Sequence, residues 1–424
     1  MVKWRSWFSI VVAFLAGWLS AMVLAGTPYA GDVARVIGPG SLVQLQTPWG
    51  LRVAFAPFWE TWQLVDAVFF ERERIDHPRM IQGAINGMLA TLDDRYTFYQ
   101  EPEKAKQTSE NMQGTMAGIG AYLRREEQRV VIWKLIADAP AEQAGLRAGD
   151  EFIRIDGVRV ADIVAEVAAD EVIARVASLL RGDVGTTVAV EVRRTDGSLL
   201  TVQLTRAEII LPSVEWQILP DMVGYITISD FKANTPDVLQ QGMQEMKAAG
   251  VRGYILDLRG NPGGLLDSAR RVLGLFYAGT ALWEQKATGA VRELSALPPA
   301  DYTFPTAPVV VLMDENSASA SEVVAGALRD RVPGTQIIGV QSFGKGIVQN
   351  IYPLSNGGTT RLTVAQWLTP ERTAIHGVGL TPDVIVANGD DTPADAPCVR
   401  QNQPDPAQTT CRDAPLMRAL AMFP

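Results

Sequence analysis

The sequence predicts a mixed α/β protein with several domains. Beyond residue 211, short apolar runs typical of strands alternate with helical segments, which indicates a largely parallel sheet covered by helices. Residues 115–206 instead show closely spaced short strands and turns, and the stretch before them is mostly helical. At 424 residues the chain is long enough for each of these segments to form its own core.

An apolar stretch without charges, residues 7–26, follows the basic residues Lys3 and Arg5. A helix of about 20 residues spans the hydrocarbon core of a bilayer, and positive charge before it keeps the N-terminus in the cytoplasm. Residues 1–26 are therefore expected to be a single-pass anchor in the cell membrane. A signal segment cleaved near Ala25, giving a secreted protein, is the alternative. Both interpretations place the rest of the chain outside the cytoplasm.

Residues 27–113 are expected to form a helical region. Aromatic and apolar residues recur at helical spacing from Trp59 to Phe70, and a second helix is predicted from Pro78 to Leu92. A stripe of this kind usually belongs to a core or to a packing surface, and a contact between two copies of the chain is an alternative.

Composition argues against several kinds of function. Lys and Arg number 38 against 47 Asp and Glu, so the net charge is −9 and nucleic acid is not an expected partner. The chain has two histidines, His77 and His376, which leaves few candidates for a Ser-His-Asp triad. No metal ion and no organic cofactor are expected.

The segment 114–207 is expected to be a separate domain that binds peptides. It contains Gly118-Ile119-Gly120, then Ala-Pro-Ala-Glu-Gln-Ala-Gly-Leu-Arg-Ala-Gly-Asp at 139–150 and Ile-Arg-Ile-Asp-Gly at 153–157. One helix is predicted from Ile163 to Leu180. These stretches resemble a PDZ domain of the form found inside secreted proteases. Since glycines let backbone N–H groups turn towards a carboxylate, we expect Gly118, Ile119 and Gly120 to bind a peptide end beside a strand edge.

A glycine-rich turn follows the predicted strand Tyr254–Leu258. The run Asp257-Leu258-Arg259-Gly260-Asn261-Pro262-Gly263-Gly264 leads from this strand into a helix, and its paired glycines free N–H groups near the helix start. These features suit an oxyanion hole. Phosphate binding is the rival interpretation, although the run lacks the Gly-Lys-Ser/Thr ending of a P-loop. A tight structural turn is the simplest alternative.

Three serines, Ser317, Ser319 and Ser321, follow the predicted strand Val309–Met313 and precede a helix. A hydroxyl at such a position can act as a nucleophile, and the N–H of Ala320 can stabilise an oxyanion. Serines at helix starts also cap them routinely, so the cluster alone favours capping over catalysis.

Lys345 follows Ser319 by 26 residues (345 − 319) and is flanked by two glycines. Because histidine is scarce, a serine nucleophile paired with a lysine base is the leading chemical hypothesis. The base must be neutral near pH 7, and burial against apolar side chains lowers the pKa of a lysine. Gln349 is placed to orient the amine, while a solvated lysine in a turn is the alternative. The apolar walls are expected from nearby residues: Phe343, Ile347 and Val348.

Together these motifs resemble the C-terminal processing peptidases, also called tail-specific proteases. The resemblance extends from about Ile81 to Val386 and includes the glycine-rich turn, the serine run and the glycine-flanked lysine. It implies a crotonase/Clp-like α/β peptidase core at residues 208–388, with an inserted PDZ domain and an N-terminal helical region. It also implies the roles of the site residues: Ser319 as nucleophile, Lys345 as general base, Gln349 as the support of the base, and the amides of Gly263 or Gly264 and Ala320 as oxyanion donors.

The resemblance implies a serine endopeptidase whose PDZ domain captures apolar C-terminal tails of other proteins. It further suggests a homo-oligomer, a dimer joined through the helical ends, and a PDZ domain that gates the site. Two alternatives stay open. The intact Ser319 and Lys345 argue against a catalytically inactive PDZ scaffold, and the export segment argues against a crotonase-like acyl-CoA enzyme.

Residues 389–424 are expected to be a tail that carries Cys398 and Cys411. In an oxidising compartment these cysteines are expected to form a disulfide that closes a loop, while a zinc site would lack further ligands. A terminal helix is predicted from Pro415 to Met422.

Overall fold

The structure, a computed structural model, describes three stretches of the chain: residues 54–389, 392–399 and 410–423. The predicted anchor or signal segment at 7–26 lies outside these stretches. Within them, no helix is both long and apolar enough to cross a membrane. The described residues form two compact units, one made of residues 54–105 together with 350–363, the other made of the remaining described residues.

The first unit contains helices and a short strand. In chain order these are α1 (Ala56–Val68), a 3-10 turn (Arg72–Arg74), α2 (His77–Ala90) and β1 (Phe98–Gln100). The carboxylate of Asp76 caps α2 by accepting a hydrogen bond from the N–H of Arg79 at 3.1 Å. Strand β1 pairs antiparallel with residues 359–361.

The aromatic stripe of this unit lies mostly on a surface and not in a core. Helix α1 ends at Val68, and among the described residues it buries no side chain. Trp59 is 56% exposed and Phe70 is 96% exposed. Phe58 contacts the ring of Trp59 instead, at a centroid distance of 4.9 Å. The helical spacing predicted the helix correctly, and of the two expected roles for its apolar face, a packing surface fits these exposures and a core does not.

The chain continues through the block that resembles a PDZ domain. After α3 (Pro102–Gln113), the elements of this block are β2 (Thr115–Gly118), β3 (Ala121–Glu126), β4 (Arg129–Leu135), α4 (Pro140–Gln143), β5 (Glu151–Ile155), β6 (Val158–Arg159), α5 (Val160–Glu166), α6 (Val172–Leu180), β7 (Thr187–Arg193), β8 (Leu199–Thr205) and β9 (Ala207–Ile210). An antiparallel sheet has the order β3-β4-β5-β7-β8, with β6 beside β5. Strands β2 and β9 pair as a separate two-stranded ribbon.

The single helix predicted from Ile163 to Leu180 is wrong, because the structure has two helices there. Helix α5 ends at Glu166, the next residue Val167 has an extended backbone, and α6 begins at Val172. Both helices bury their apolar faces in the same small core. A straight helix over the predicted range would be about 27 Å long and would carry one of these faces away from that core.

The remaining chain forms the α/β core that the sequence predicted, followed by the tail. Its elements are β10 (Val214–Leu219), a 3-10 turn (Pro220–Met222), β11 (Val223–Ile228), α7 (Thr235–Ala248), β12 (Gly253–Asp257), α8 (Leu266–Leu273), β13 (Thr280–Gln285), β14 (Val291–Ser295), β15 (Val309–Met313), α9 (Ala320–Arg331), β16 (Gln336–Gly339), β17 (Ile347–Pro353), β18 (Thr359–Leu368), β19 (Val384–Ile385), β20 (Ala396–Pro397), β21 (Thr410–Cys411) and α10 (Ala414–Leu420). A six-stranded sheet has the order β10-β11-β12-β15-β16-β19 and is parallel except for β10.

This sheet is covered on both faces, as a parallel sheet requires. Residues from α7, α8 and α9 pack on one face in the larger core. The tail packs on the other face, where Leu416, Ala419 and Phe423 meet Tyr225 and Leu312. The carboxyl ends of the parallel strands therefore form one edge that both layers leave open to loops.

The tail is fastened at two points. Cys398 and Cys411 form a disulfide, with sulfur atoms 1.99 Å apart. Asp413 then starts α10 and accepts a hydrogen bond from the N–H of Leu416 at 3.0 Å. These contacts hold the final helix against the sheet.

Candidate active site

The three serines before α9 have different environments. Ser317 and Ser321 are fully buried, whereas Ser319 is partly exposed. The hydroxyl of Ser317 donates to the carbonyl of Leu258 at 2.8 Å, and that of Ser321 donates to the carbonyl of Asn261 at 2.9 Å. Both outer serines thus fix the serine segment to the glycine-rich turn, and the middle serine is the better candidate for a nucleophile.

The backbone of Ser319 is strained. Its φ of 56° and ψ of −114° lie in a region that residues other than glycine rarely adopt. The residue stands between strand β15 and helix α9, which is a strand–turn–helix junction of the kind that presents a nucleophile at a sheet edge. Strain of about 1–3 kcal/mol persists only where the surroundings enforce it, and such sites are often functional.

The glycine-rich turn lies against this serine. A Cβ added to Gly263 would be 2.8 Å from the Cβ of Ser319 and 2.9 Å from the amide nitrogen of Ala320, so only glycine fits. The backbone of Phe231 holds the turn in place, donating to the carbonyl of Gly263 at 2.9 Å and accepting from Leu265 N–H at 2.7 Å.

The two predicted oxyanion glycines are not equivalent. The N–H of Gly263 donates to the side-chain oxygen of Asn261 at 2.8 Å, which occupies that donor. Gly264 is therefore the better candidate of the pair. The N–H of Ala320 belongs to the first residue of α9, so it has no partner inside its own helix.

Asn261 connects the turn, the sheet and the serine segment, and the sequence did not show this role. Its side-chain NH₂ donates to the carbonyl of Ile228 at 2.8 Å, and its own carbonyl accepts from the N–H of Ala318 at 3.0 Å. The residue is fully buried. An asparagine inside a glycine-rich turn can indicate a side chain that binds backbone groups, because buried polar groups form hydrogen bonds. The sequence gives no indication of which backbone groups those would be.

The loop that carries Lys345 is held on several sides. The N–H of Phe343 donates to the carbonyl of Ser317 at 3.1 Å, which ties the lysine loop to the serine segment. The buried Trp367 donates through its ring nitrogen to the carbonyl of Lys345 at 3.1 Å and through its backbone to Gly346 at 3.0 Å. Lys345 itself is partly buried, and so is Gln349 in β17.

The apolar surroundings predicted for the lysine are present only in part. Ile347 is buried and Val348 packs against the larger core. Phe343 is 45% exposed, so its prediction as a buried wall is wrong. The loop turns at Gly344, whose φ is 86°, and this turn directs the ring of Phe343 outwards while its backbone binds the serine segment.

A buried carboxylate joins the serine and lysine segments. The Oε2 atom of Glu322 accepts from the N–H of Ser319 at 2.7 Å and from the N–H of Lys345 at 2.9 Å. The structure thereby brings the backbones of the predicted nucleophile and base together. No role was predicted for Glu322 from the sequence, although the spacing Ser-x-x-Glu is a known helix-start pattern and was a readable signal.

An ion network lies at the start of the glycine-rich turn. Arg259 pairs with the fully buried Asp257 and Asp413, and Tyr225 donates to Asp257. Burial alone would lower the pKa of Arg259, but the two carboxylates outweigh burial and hold that pKa above its ordinary value. Burial, together with the charge of Asp257, raises the pKa of Tyr225. This network fixes the strand end from which the turn departs.

The predicted peptide-binding loop has the geometry expected of a tight turn into β3. Gly120 has a φ of 77°, and a Cβ there would lie 2.2 Å from the Cβ of Ala139. The carbonyls of Ile119 and Gly120 accept from Ala141 and Ile136, each at 2.9 Å, so both carbonyls point into the domain. Helix α6 packs beside β3, the strand that follows this loop. Within the described residues, no group of three acidic, His or Cys side chains is arranged to hold a metal ion.

Residues 222–386 match peptidase family S41, and residues 117–205 match the PDZ domain family. The chain is 36% identical over 331 residues to the carboxy-terminal-processing protease of Bartonella bacilliformis, with 75% of this chain and 73% of that protein covered. It is 34% identical over 326 residues to the carboxy-terminal processing protease CtpB of Bacillus subtilis, with 75% of this chain and 65% of that protein covered. The second alignment thus spans slightly less than two thirds of the relative. Among solved structures, a photosystem II D1 C-terminal processing protease is 28% identical and covers 78% of this chain and 92% of its own, with a TM-score of 0.44.

Proposed function

Because the chain belongs to peptidase family S41, we propose that it is an extracytoplasmic serine endopeptidase that cleaves proteins captured by their C-terminal tails. The catalytic pair of this proposal is Ser319 with Lys345. The observation that carries it is the position of Ser319, which is partly exposed and strained at the sheet edge while its backbone shares one carboxylate oxygen with Lys345.

The proposed reaction forms an acyl-enzyme. The Oγ of Ser319 attacks the carbonyl carbon of the scissile bond, and its proton passes to the amine of Lys345. The N–H groups of Gly264 and Ala320 donate to the resulting oxyanion. When the intermediate collapses, the C–N bond breaks and Lys345 returns the proton to the leaving amine. Water then attacks the ester with Lys345 again as base, which releases the carboxylic acid and restores the serine.

The supporting residues have separate tasks in this scheme. The buried Ile347 and the packed Val348 favour the neutral amine of Lys345 by excluding water. Gln349 orients that amine through its side-chain amide. Asn261 and the outer serines keep the oxyanion donors and the nucleophile in one rigid block, and such rigidity is what electrostatic stabilisation of a transition state requires.

The PDZ domain is proposed to supply substrate recognition. A peptide adds as a strand to the edge of β3 in the groove beside α6, and its terminal carboxylate binds the N–H groups of the loop Gly118-Ile119-Gly120. The apolar residues of that groove favour apolar tails. Relatives named for carboxy-terminal processing are consistent with this choice of substrate.

The remaining parts of the proposal concern the domains, the cellular location and the oligomeric state. Residues 1–26 anchor the protein in the cell membrane or direct its secretion, and the oxidised Cys398–Cys411 pair fits an extracytoplasmic location. The domains are a helical region, a PDZ domain, a peptidase core and a tail: residues 27–113, 114–207, 208–388 and 389–424. The exposed apolar face of α1 is proposed to support a homodimer.

The test is cleavage of an unfolded reporter that ends in an apolar tail, by a soluble fragment from Gly31 onward. Turnover by the parent, with none by Ser319→Ala or Lys345→Ala, would support the dyad. Turnover by Ser319→Ala would show that the nucleophile is another residue. If the parent binds the tail without cleaving it, the scaffold interpretation is favoured. If replacing Gly120 by valine abolishes binding while small peptides are still cut, the PDZ assignment is supported.

A further inference from the structure

We propose that Glu322 is a positioning residue that sets the distance between the nucleophile and the base. The inference depends on the proposed Ser319–Lys345 pair and assigns a residue to it that the peptidase motif leaves without a role. Glu322 lies on the first turn of α9, three residues after Ser319, and is fully buried.

Each oxygen of the Glu322 carboxylate accepts two hydrogen bonds. Oε2 accepts from the N–H of Ser319 at 2.7 Å and of Lys345 at 2.9 Å. Oε1 accepts from the N–H of Gly344 at 2.7 Å and from the hydroxyl of Ser342 at 2.6 Å. An ionised carboxylate has about four acceptor sites, and all of them are filled here by donors.

This arrangement exceeds what a helix cap needs. In a capping box, the third helical residue uses its side chain to accept from the N–H of the residue at the helix start. Glu322 does this with Ser319 and then binds three further donors from Ser342, Gly344 and Lys345, which belong to another loop. The carboxylate is therefore a connector between two segments, and its nearest partner in the second segment, Ser342, lies 20 residues further along the chain.

The lysine loop needs such a connector because glycine makes it adaptable. Gly344 has a φ of 86° and Gly346 packs against the backbone of His376, so the backbone around Lys345 has little side-chain packing of its own. The bonds to Ser317 and Trp367 hold the flanks of the loop. Glu322 holds its middle, directly at the amide of Lys345.

The identity of the residue matters as well as its size. A glutamine at 322 would have nearly the same shape, but its amide offers one accepting oxygen and one NH₂ group that cannot accept. At least one backbone N–H would then face another donor in a buried site. The loop would have to move away from α9, and a displacement of about 1 Å at a reacting group reduces turnover by about 100-fold.

The test compares Glu322→Gln with Glu284→Gln in the soluble fragment. Glu284 is a suitable control because it is also buried, and its carboxylate pairs with Arg292 on the neighbouring strand. For both variants we would measure kcat and KM on the tailed reporter well below the melting temperature. Hydrogen–deuterium exchange of the amides of Gly344 and Lys345 would be measured in the same samples.

We expect Glu322→Gln to lower kcat about 100-fold. Its KM should stay within about twofold, because a buried residue does not contact substrate, and both amides should exchange faster. Glu284→Gln should retain the parent's kcat and exchange rates. An unchanged kcat for Glu322→Gln, with Ser319→Ala inactive, would overturn the positioning role and leave the dyad intact. A change confined to KM would overturn it as well.

Two further outcomes are informative. If Ser319→Ala keeps its turnover, the dyad is wrong and the role of Glu322 falls with it. If Glu322→Gln does not fold, Ser342→Ala takes its place, because it removes one donor from Oε1 and leaves both bonds of Oε2. The variant also removes the acceptor of the Leu380 N–H, so exchange of the Gly344 and Lys345 amides is measured beside kcat. Loss of the bond to Oε1 should lower kcat about fivefold and speed this exchange, and no change in either would contradict the proposal.

Discussion

Asp413 links the C-terminal tail to the glycine-rich turn, and Asp413→Ala should show how strongly. The Asp413 carboxylate accepts from both terminal nitrogens of Arg259, at 2.8 and 2.9 Å, and from the N–H of Leu416 at 3.0 Å. It is fully buried, and so is Asp257, the second partner of Arg259. Removing the Asp413 carboxylate therefore breaks a buried ion pair with Arg259. The pair lies inside the protein and not at a solvent-exposed surface.

The expected loss of stability can be built from these contacts. Removing one partner of a buried ion pair costs about 3–5 kcal/mol, and the lower end applies because Arg259 keeps Asp257. Loss of the helix cap at α10 adds about 1 kcal/mol. The variant should thus be less stable by about 4 kcal/mol, which is a large share of the roughly 5–15 kcal/mol of a whole domain.

The measurement is urea unfolding followed by far-UV circular dichroism, read at the transition of the peptidase core. Glu371→Ala is the control, because Glu371 forms an exposed pair with Arg331 and such pairs contribute about 0–1 kcal/mol. A loss below about 1 kcal/mol for Asp413→Ala would refute the argument, since it would mean that water or Asp257 replaces the tail without penalty.

Three other changes test separate features of the chain. Gly263→Ala should reduce kcat by more than about 100-fold with little change in binding, since the new Cβ would lie 2.8 Å from the Cβ of Ser319; near-parental turnover of the reporter would show that the turn can move. Replacing Cys398 and Cys411 by serine should lower stability in urea by about 3 kcal/mol, because the disulfide closes a loop of 13-residue separation, and dithiothreitol should lower the parent to the same value but leave the variant unchanged. Burial raises the pKa of Tyr277, so the contribution of its neutral phenol to folding stability is complete below about pH 10 and is lost as the pH rises further. Between about pH 10 and 11, Tyr277→Phe should therefore lose less folding stability than the parent. Parallel plots of unfolding free energy against pH for the two proteins would contradict this.

The α/β core could be predicted because a parallel sheet buried on both faces leaves a plain signal. Strands β11 and β15 consist of six and five residues that are all buried, so they appear in sequence as continuous apolar runs. Val223–Ile228 and Val309–Met313 were accordingly predicted with their observed ends. The resemblance to C-terminal processing peptidases is confirmed by the relatives at 34–36% identity.

The sequence failed where tertiary contacts decide. The break between α5 and α6 has no proline or glycine at residues 167–171, and packing of both helices on one core imposes it. Phe343 is apolar and close to Lys345, yet its backbone rather than its ring contacts the serine segment. Proximity in sequence gives no information about whether a turn directs the side chain or the backbone of a residue inwards.

The choice between the two oxyanion glycines failed for a related reason. Both Gly263 and Gly264 have positive φ values, so the motif alone treats them alike. The distinction arises because Asn261 folds back onto the N–H of Gly263. That bond depends in turn on the sheet, where the side chain of Asn261 is held by Ile228. A donor that is already occupied inside the turn contributes less to an oxyanion than one that is not.

Capping and catalysis, which the sequence presents as rival interpretations of the serine cluster, are compatible in the folded chain. The residue at a helix start has its backbone N–H outside the helical ladder, and here Glu322 accepts it. Ser317 and Ser321 supply hydroxyls that bind the glycine-rich turn, and the hydroxyl of Ser319 belongs to the capping box with Glu322. The same helix start leaves the N–H of Ala320 beside that hydroxyl. The main chain of Ser319 is therefore held by Glu322, and its place at the helix start is compatible with a nucleophilic role for its hydroxyl.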